Sequence, residues 1–179
     1  DHKRALCDED MKKVFAGVSS SSVVPAGMRR SQELFILMFL LRGLPFVDLA
    51  YLRKSDLRDH VITYRRRKTG RSLSVTVTPE AMAILKKYIS RDDTSPYLFP
   101  LLKSGEGTKE AYREYQSALR SFNQQLMLLG EWLALNDRLS SYTARHTWAT
   151  TAYHCEIHPG IISEAMGHSS ITVTETYLK

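Results

Sequence analysis

A chain of 179 residues has room for one domain with a buried core, at roughly 150 residues per domain, and its 43% apolar share fits a globular protein. No apolar run reaches the about 18 residues that a membrane-spanning helix needs. The two cysteines, Cys7 and Cys155, make neither a disulfide framework nor a CxxC pair, which points to a reducing, cytosolic setting. Lysine and arginine number 25 against 19 acidic residues, a formal charge of +6 that favours a polyanionic partner.

In chain order, residues 4–17 read as a short helix with apolar Leu6, Met11, Val14 and Phe15, followed by a loop from Ser19 to Pro25. Arg30 to Leu41 reads as a buried helix, because Phe35, Leu37, Met38 and Leu41 form an apolar stripe. Gly43 supplies its stop, and Pro45 opens a further helix through Leu52. Val61–Tyr64 and Leu73–Val77 read as strands, the second alternating apolar and polar residues. Thr69-Gly70 between them makes a hairpin. The hairpin's first arm and tip carry Arg65, Arg66, Arg67, Lys68 and Arg71, a basic run fit to grip a phosphate backbone.

Thr78 is the expected N-cap of a helix whose face holds Ile84, Leu85, Tyr88 and Ile89. Arg91 to Gly107 reads mostly as loop, with Tyr97–Pro100 ("YLFP") packed inward. A long helix runs from 108 or 109 to Leu129 and stops at Gly130. Helices follow at about 142–155 and 159–166, the second opened by Pro159 and closed by Gly167, and Ser170 starts a last helix carrying Tyr177. The sum is an α+β fold, mainly helical with a small antiparallel β-sheet.

The C-terminal half concentrates the chemistry. "SSYTARHTWATTAYH" sets Arg145 beside His146 on a helix that otherwise reads as buried, and such groups are costly to bury without a partner. Metal-free phosphoryl transfer needs a nucleophile, fixed cations on the non-bridging oxygens and an acid for the leaving oxygen. Arg145, then His168 in "GHSS", then Tyr177 nine residues later are candidates, and the hairpin adds Lys68. His154 and His158 are spaced like metal ligands on one helix face. "HCEIH" lacks the HExxH arrangement, however, and Pro159 follows at once, so no metal site is assigned.

These motifs, "ARHTWAT" (Ala144–Thr150) and "MGHSSITVTETYL" (Met166–Leu178), resemble the tyrosine recombinase family, the phage-integrase-like site-specific recombinases, over essentially the whole chain. "RKTG" (Arg67–Gly70) resembles the family's lysine-bearing β-turn, and "VDLAYLRKSDL" (Val47–Leu57) the segment after the family's first arginine. The resemblance implies the catalytic domain of a DNA strand transferase acting in integration and excision. In it, Tyr177 attacks a phosphate of double-stranded DNA to leave a 3′-phosphotyrosine bond and a 5′-hydroxyl. Arg145 and His168 stabilise the developing charge, and Lys68 protonates the leaving oxygen. Neither ATP nor a metal or other cofactor is implied. His146 is expected to lock the site rather than act in it.

Two positions depart from the family pattern. Tyr142 stands where the family has a histidine, three residues before Arg145, and Pro45 stands where its first arginine belongs. Arg42, just before that bend, is the candidate replacement. The shift resembles a branch of integrases from bacterial mobile elements, and so implies a cytoplasmic protein associated with the nucleoid. The departures also leave open a DNA-binding module that has lost catalysis, while the shared chemistry leaves open relaxation of the type IB topoisomerase kind. Residue by residue, structural readings compete: a packing tyrosine at 142 or 177, a helix-end cation at Arg42, a helix cap at His168, a solvated charge at Lys68. The family's N-terminal DNA-clamping domain and its C-terminal tail are expected to be absent from residues 1–179. That implies weak DNA affinity and a monomer in isolation, and a homo-tetramer on DNA for the full protein.

Overall fold

The structure, a computed structural model, describes residues 5–16 and 24–178, with the side chains of Thr176 and Tyr177 outside the described set. Its first helix, α1 (Asp8–Ala16), carries Val14 into the core. Arg4 and Gly17, at the two ends of the expected helix, and residues 19–23 of the expected loop lie outside the described residues. α2 (Ala26–Leu40) starts four residues earlier than its apolar stripe suggests and buries Leu34 to Met38 continuously. It packs against the helices introduced below on three sides, which is why its polar Gln32 and Glu33 are buried too. Each finds a partner: Gln32 Nε2 donates to Val14 O (2.7 Å), and Glu33 Oε1 accepts from Lys87 (2.7 Å) and Tyr88 (3.0 Å).

The stop of α2 uses two left-handed residues, Arg42 (φ 63°) and Gly43 (φ 70°). α3 (Phe46–Tyr51) follows with Pro45 as its N-cap. A single 3-10 turn (Lys54–Asp56) and a two-residue strand β1 (Leu57–Arg58) come next, too short to show in sequence periodicity. β2 (Val61–Arg65) and β3 (Ser72–Thr76) form the expected hairpin, and the antiparallel sheet has the order β1-β2-β3. Register pairs Ile62 with Val75 and Tyr64 with Leu73, so Ile62, Tyr64 and Val75 face the core.

α4 (Pro79–Tyr88) begins at Thr78, whose hydroxyl accepts from Ala81 N (3.3 Å). The loop to α5 packs inward as expected. Tyr97, Leu98 and Phe99 are each about fully buried, Leu98 N donates to Leu52 O (2.8 Å), and Tyr97 Oη donates to Ser104 O (2.6 Å). α5 (Lys109–Trp132) buries one stripe, Ala111, Phe122, Leu126 and Leu129, and Phe122 stacks on Phe46 with ring centroids 4.7 Å apart.

Gly130 does not end α5, contrary to expectation. The helix runs on to Trp132 and closes through left-handed Ala134 (φ 53°), with Ala134 N donating to Glu131 O and Leu135 N to Gly130 O. A Cβ at 130 would lie 3.8 Å from that of Leu139, an ordinary contact, so packing there leaves room for a side chain. α6 (Ser141–His154), α7 (Pro159–Met166) and α8 (Ile171–Leu178) complete the chain, joined by a second small core of Ala149, Ala152, Ile162 and Met166. α2 packs on α4, α5 and α6. No described helix is long and apolar enough to cross a membrane.

Candidate active site

Arg145 sits one turn into α6, whose position is tied down from three directions. Ser140 N donates to Thr143 Oγ1 (2.9 Å) at the helix start, Ser141 N donates to Asn123 Oδ1 (2.9 Å) on α5, and Leu6 N donates to Thr147 Oγ1 (3.0 Å). The Arg145 side chain is only 4% exposed. Nη1 donates to Gly43 O (2.9 Å) and Nη2 to Met166 O (2.7 Å). Met166 O is the last carbonyl of α7, where backbone oxygens lack intrahelical partners, and Gly43 O lies in the turn after α2. The arginine thus joins the end of α2 to the end of α7.

Gly167, left-handed at φ 68°, closes α7, and His168 N returns to Ser163 O (3.0 Å). The hairpin reaches this bend. Gly167 O accepts from Arg66 Nη1 (3.0 Å) and from Thr69 Oγ1 (2.9 Å). A Cβ at 167 would lie 2.9 Å from Leu73 Cδ1 and 3.2 Å from Arg66 Cδ, contacts that side-chain shifts could relieve, so it is the left-handed φ that favours glycine here. His168 is buried, and its Nδ1 shares a hydrogen with Thr174 Oγ1 at 2.5 Å. Burial holds its pKa down to about 3, with the Arg145, Arg66 and Lys68 charges adding to the effect. The imidazole is therefore neutral at physiological pH.

A cleft of about 160 Å³ opens beside Arg145, lined among others by Pro45, Asp48, Arg66, Lys68 and Tyr142. Asp48 Oδ1 accepts the backbone N–H of Arg67 (3.0 Å), fixing the hairpin base. Desolvation raises the Asp48 pKa in spite of that bond and of the Arg66, Arg145 and Arg67 charges.

The basic run divides. Arg65 and Arg71 are exposed, Arg65 Nη1 donating to Gly70 O (3.1 Å). Lys68 is exposed and lines the cleft. Arg67 lies over the Tyr51 ring (3.7 Å to the centroid) and pairs with Glu106 (2.7 Å), which also binds Arg53 (2.6 Å). Arg66, expected on the DNA-facing surface with its neighbours, is 5% exposed and turned into the site. The reason is strand alternation: Ile62, Tyr64 and Arg66 share the inward face of β2 and its continuation.

Arg42, expected to reach the same phosphate, is not brought to the cleft. Its left-handed backbone carries the side chain to solvent, and Pro45 lines the cleft instead. Tyr142 is 57% exposed at the cleft wall, which excludes core packing. His146 is half-buried. His158 Nδ1 accepts from Gly160 N (2.9 Å) and so caps α7. Tyr177 stands in the last turn of α8, with its side chain outside the described residues. Asp48, Thr174 and Glu106 carried no signal in the sequence, Thr69 read only as turn chemistry, and the inward turn of Arg66 was legible in the period of its strand.

A sequence profile described as the phage integrase family matches residues 10–179. The tyrosine recombinase XerA of Pyrococcus furiosus is 24% identical over 98% of this chain and 57% of its own length; XerA of Thermococcus kodakarensis is 25% identical over 98% and 58%. The chain therefore spans a little over half the length of these curated relatives. A crystal structure of XerA recombinase superposes with a TM-score of 0.68 at 19% identity, over 98% of this chain and 60% of that one. The Tn1549 transposon integrase in complex with transposon right-end DNA gives a TM-score of 0.68 at 16% identity, over 100% and 62%.

Proposed function

We propose that this chain, which belongs to the phage integrase family, is the catalytic domain of a site-specific recombinase that cuts and rejoins double-stranded DNA. The observation that carries the reading is the convergence of Arg145, Lys68 and His168 on one bend from three separate elements, with α8 leading from that bend to Tyr177.

In the proposed reaction the Tyr177 oxygen attacks a backbone phosphorus and the bond from phosphorus to the 5′ oxygen breaks. The phenolic proton passes to solvent, and Lys68 delivers a proton to the leaving 5′ oxygen. A 3′-phosphotyrosine linkage stores the bond energy for reversal onto a second strand, so no ATP, metal or other cofactor enters. Arg145 is already immobilised by two carbonyls, so it stabilises the charge building on the phosphoryl oxygens with little reorganisation. Neutral His168 serves as a hydrogen-bonding group rather than a cation.

The full protein acts as a homo-tetramer on paired DNA sites during integration and excision of a bacterial mobile element, in the cytoplasm on the nucleoid. A DNA substrate nicked near its cleavage point tests the chemistry: it should trap a covalent protein–DNA band that Tyr177→Phe abolishes while DNA binding persists. Binding without any covalent band would identify a DNA-binding module instead.

A further inference from the structure

We infer that Arg66, on the hairpin, is the second guanidinium that binds the scissile phosphate, in place of the arginine that Pro45 displaces. The inference rests on the strand-cleavage reading above.

Three observations carry it. Arg66 is as buried as Arg145, and both line the same cleft. Among the described residues Arg66 forms no ion pair, and its Nε is buried with no hydrogen-bond partner. A buried cation without a counter-charge is costly. The carboxyl that lines the cleft with it, Asp48, is itself driven toward its neutral form by burial. The cleft thus holds more positive than negative charge and is completed by an anion. Finally, its volume of about 160 Å³ falls below the about 300–1,000 Å³ of ordinary small-ligand pockets. It suits one anionic group carried on the edge of a larger molecule.

Anchoring explains why a hairpin arginine can do this work. Nη1 is held by Gly167 O at 3.0 Å, beside the carbonyl of Met166 that holds Arg145. The two guanidiniums are therefore braced from consecutive peptide groups, and the planar fork of Arg66 keeps donors in reserve. Arg42 and Arg53 lack this placement. Arg42 is exposed outside the cleft, and Arg53 is held in an exposed pair with Glu106.

The test is single-turnover cleavage of a nicked DNA substrate by the full-length protein, with DNA binding and thermal midpoint measured beside it. Arg66→Ala should cut at least about 100-fold more slowly than wild type, the usual effect of losing one preorganised donor to a transition-state anion. Arg66→Lys should recover little, whereas Arg42→Ala should cut at the wild-type rate. A methylphosphonate at the scissile position removes the negative charge that Arg66 would bind. On that substrate the gap between wild type and Arg66→Ala should largely close, which a purely structural role would not produce. Wild-type cleavage by Arg66→Ala overturns the inference. So does a loss that the methylphosphonate leaves unchanged, since Arg66 would then only hold the hairpin. A wild-type protein that forms no covalent complex on either substrate refutes the strand-cleavage reading itself.

Discussion

Gly43 and Arg145 meet backbone to side chain and backbone to backbone. Arg145 Nη1 donates to Gly43 O at 2.9 Å, and a Cβ on Gly43 would lie 2.9 Å from Arg145 Cα. The end of α2 and the start of α6 are therefore fitted together with no space for a side chain, at the point where the buried guanidinium is aimed.

Gly43→Ala should consequently destabilise the protein more than Gly70→Ala. Both positions are left-handed (φ 70° and 72°), and a non-glycine residue there costs about 1–2 kcal/mol in either case. A methyl at Gly70 meets nothing within 4 Å, whereas at Gly43 it strikes backbone. Overpacking of that kind adds about 1–3 kcal/mol. Denaturant midpoints of the two variants measure the difference. Equal losses would show that α2 and α6 part easily.

Lys68→Ala should slow cleavage by about 100- to 10,000-fold, the usual range for a lost general acid, and leave DNA binding nearly intact. A substrate with sulfur at the 5′ bridging position has a leaving group that needs no proton, so it should restore the variant's rate. Arg67→Ala should gain nothing from the sulfur, because Arg67 is engaged by Glu106 and the Tyr51 ring. Rescue of Arg67→Ala with none for Lys68→Ala would move the acid by one residue.

His168 links stability to pH. The unfolded chain protonates it near 6.5, but the folded chain accepts the proton only near about 3. Between those values the unfolded state binds more protons, so stability is lost as pH falls through the window. The slope approaches about 1.4 kcal/mol per pH unit for a single group. His168→Gln should flatten the fall in unfolding free energy between pH 6 and pH 4 by close to one proton's worth. An unchanged slope would mean that the folded site protonates as readily as the unfolded chain.

Asp48 should prove a hydrogen-bond acceptor more than a charge. Asp48→Asn keeps an oxygen for the Arg67 N–H and removes a carboxyl that burial already disfavours as an anion, so its thermal midpoint should hold or rise. Asp48→Ala leaves that N–H without its partner, at about 1–3 kcal/mol. Equal destabilisation by both variants would show that the negative charge opposite Arg66 and Arg145 is what the fold needs.

Much of the fold was legible in the sequence because it rests on local rules. Thr78 and Pro159 marked helix starts, Gly43 and Gly167 marked stops, and alternation from Leu73 onward marked a strand. Gly130 misled because a glycine is tolerated inside a helix as well as past its end, and here the left-handed residue that closes α5 is Ala134. β1 and the 3-10 turn were invisible because two or three residues make no period.

The candidate site divides the same way. The sequence alone determined its chemical types, since the spacing of Arg145, His168 and Tyr177 and a basic hairpin carrying Lys68 are properties of the order of residues. Only the tertiary structure decided which cations meet. Arg66 and Arg67 are neighbours in a uniform basic run, yet one is turned under the α7 bend and the other is drawn out to Glu106. Arg42, closest in sequence to the displaced arginine, is sent to solvent by a left-handed turn. A charge on a list of residues has no direction. Direction comes from strand alternation, from the handedness of two residues after α2, and from the carbonyls of Gly43, Met166 and Gly167. Those carbonyls are brought together only when α2, α6, α7 and the hairpin pack.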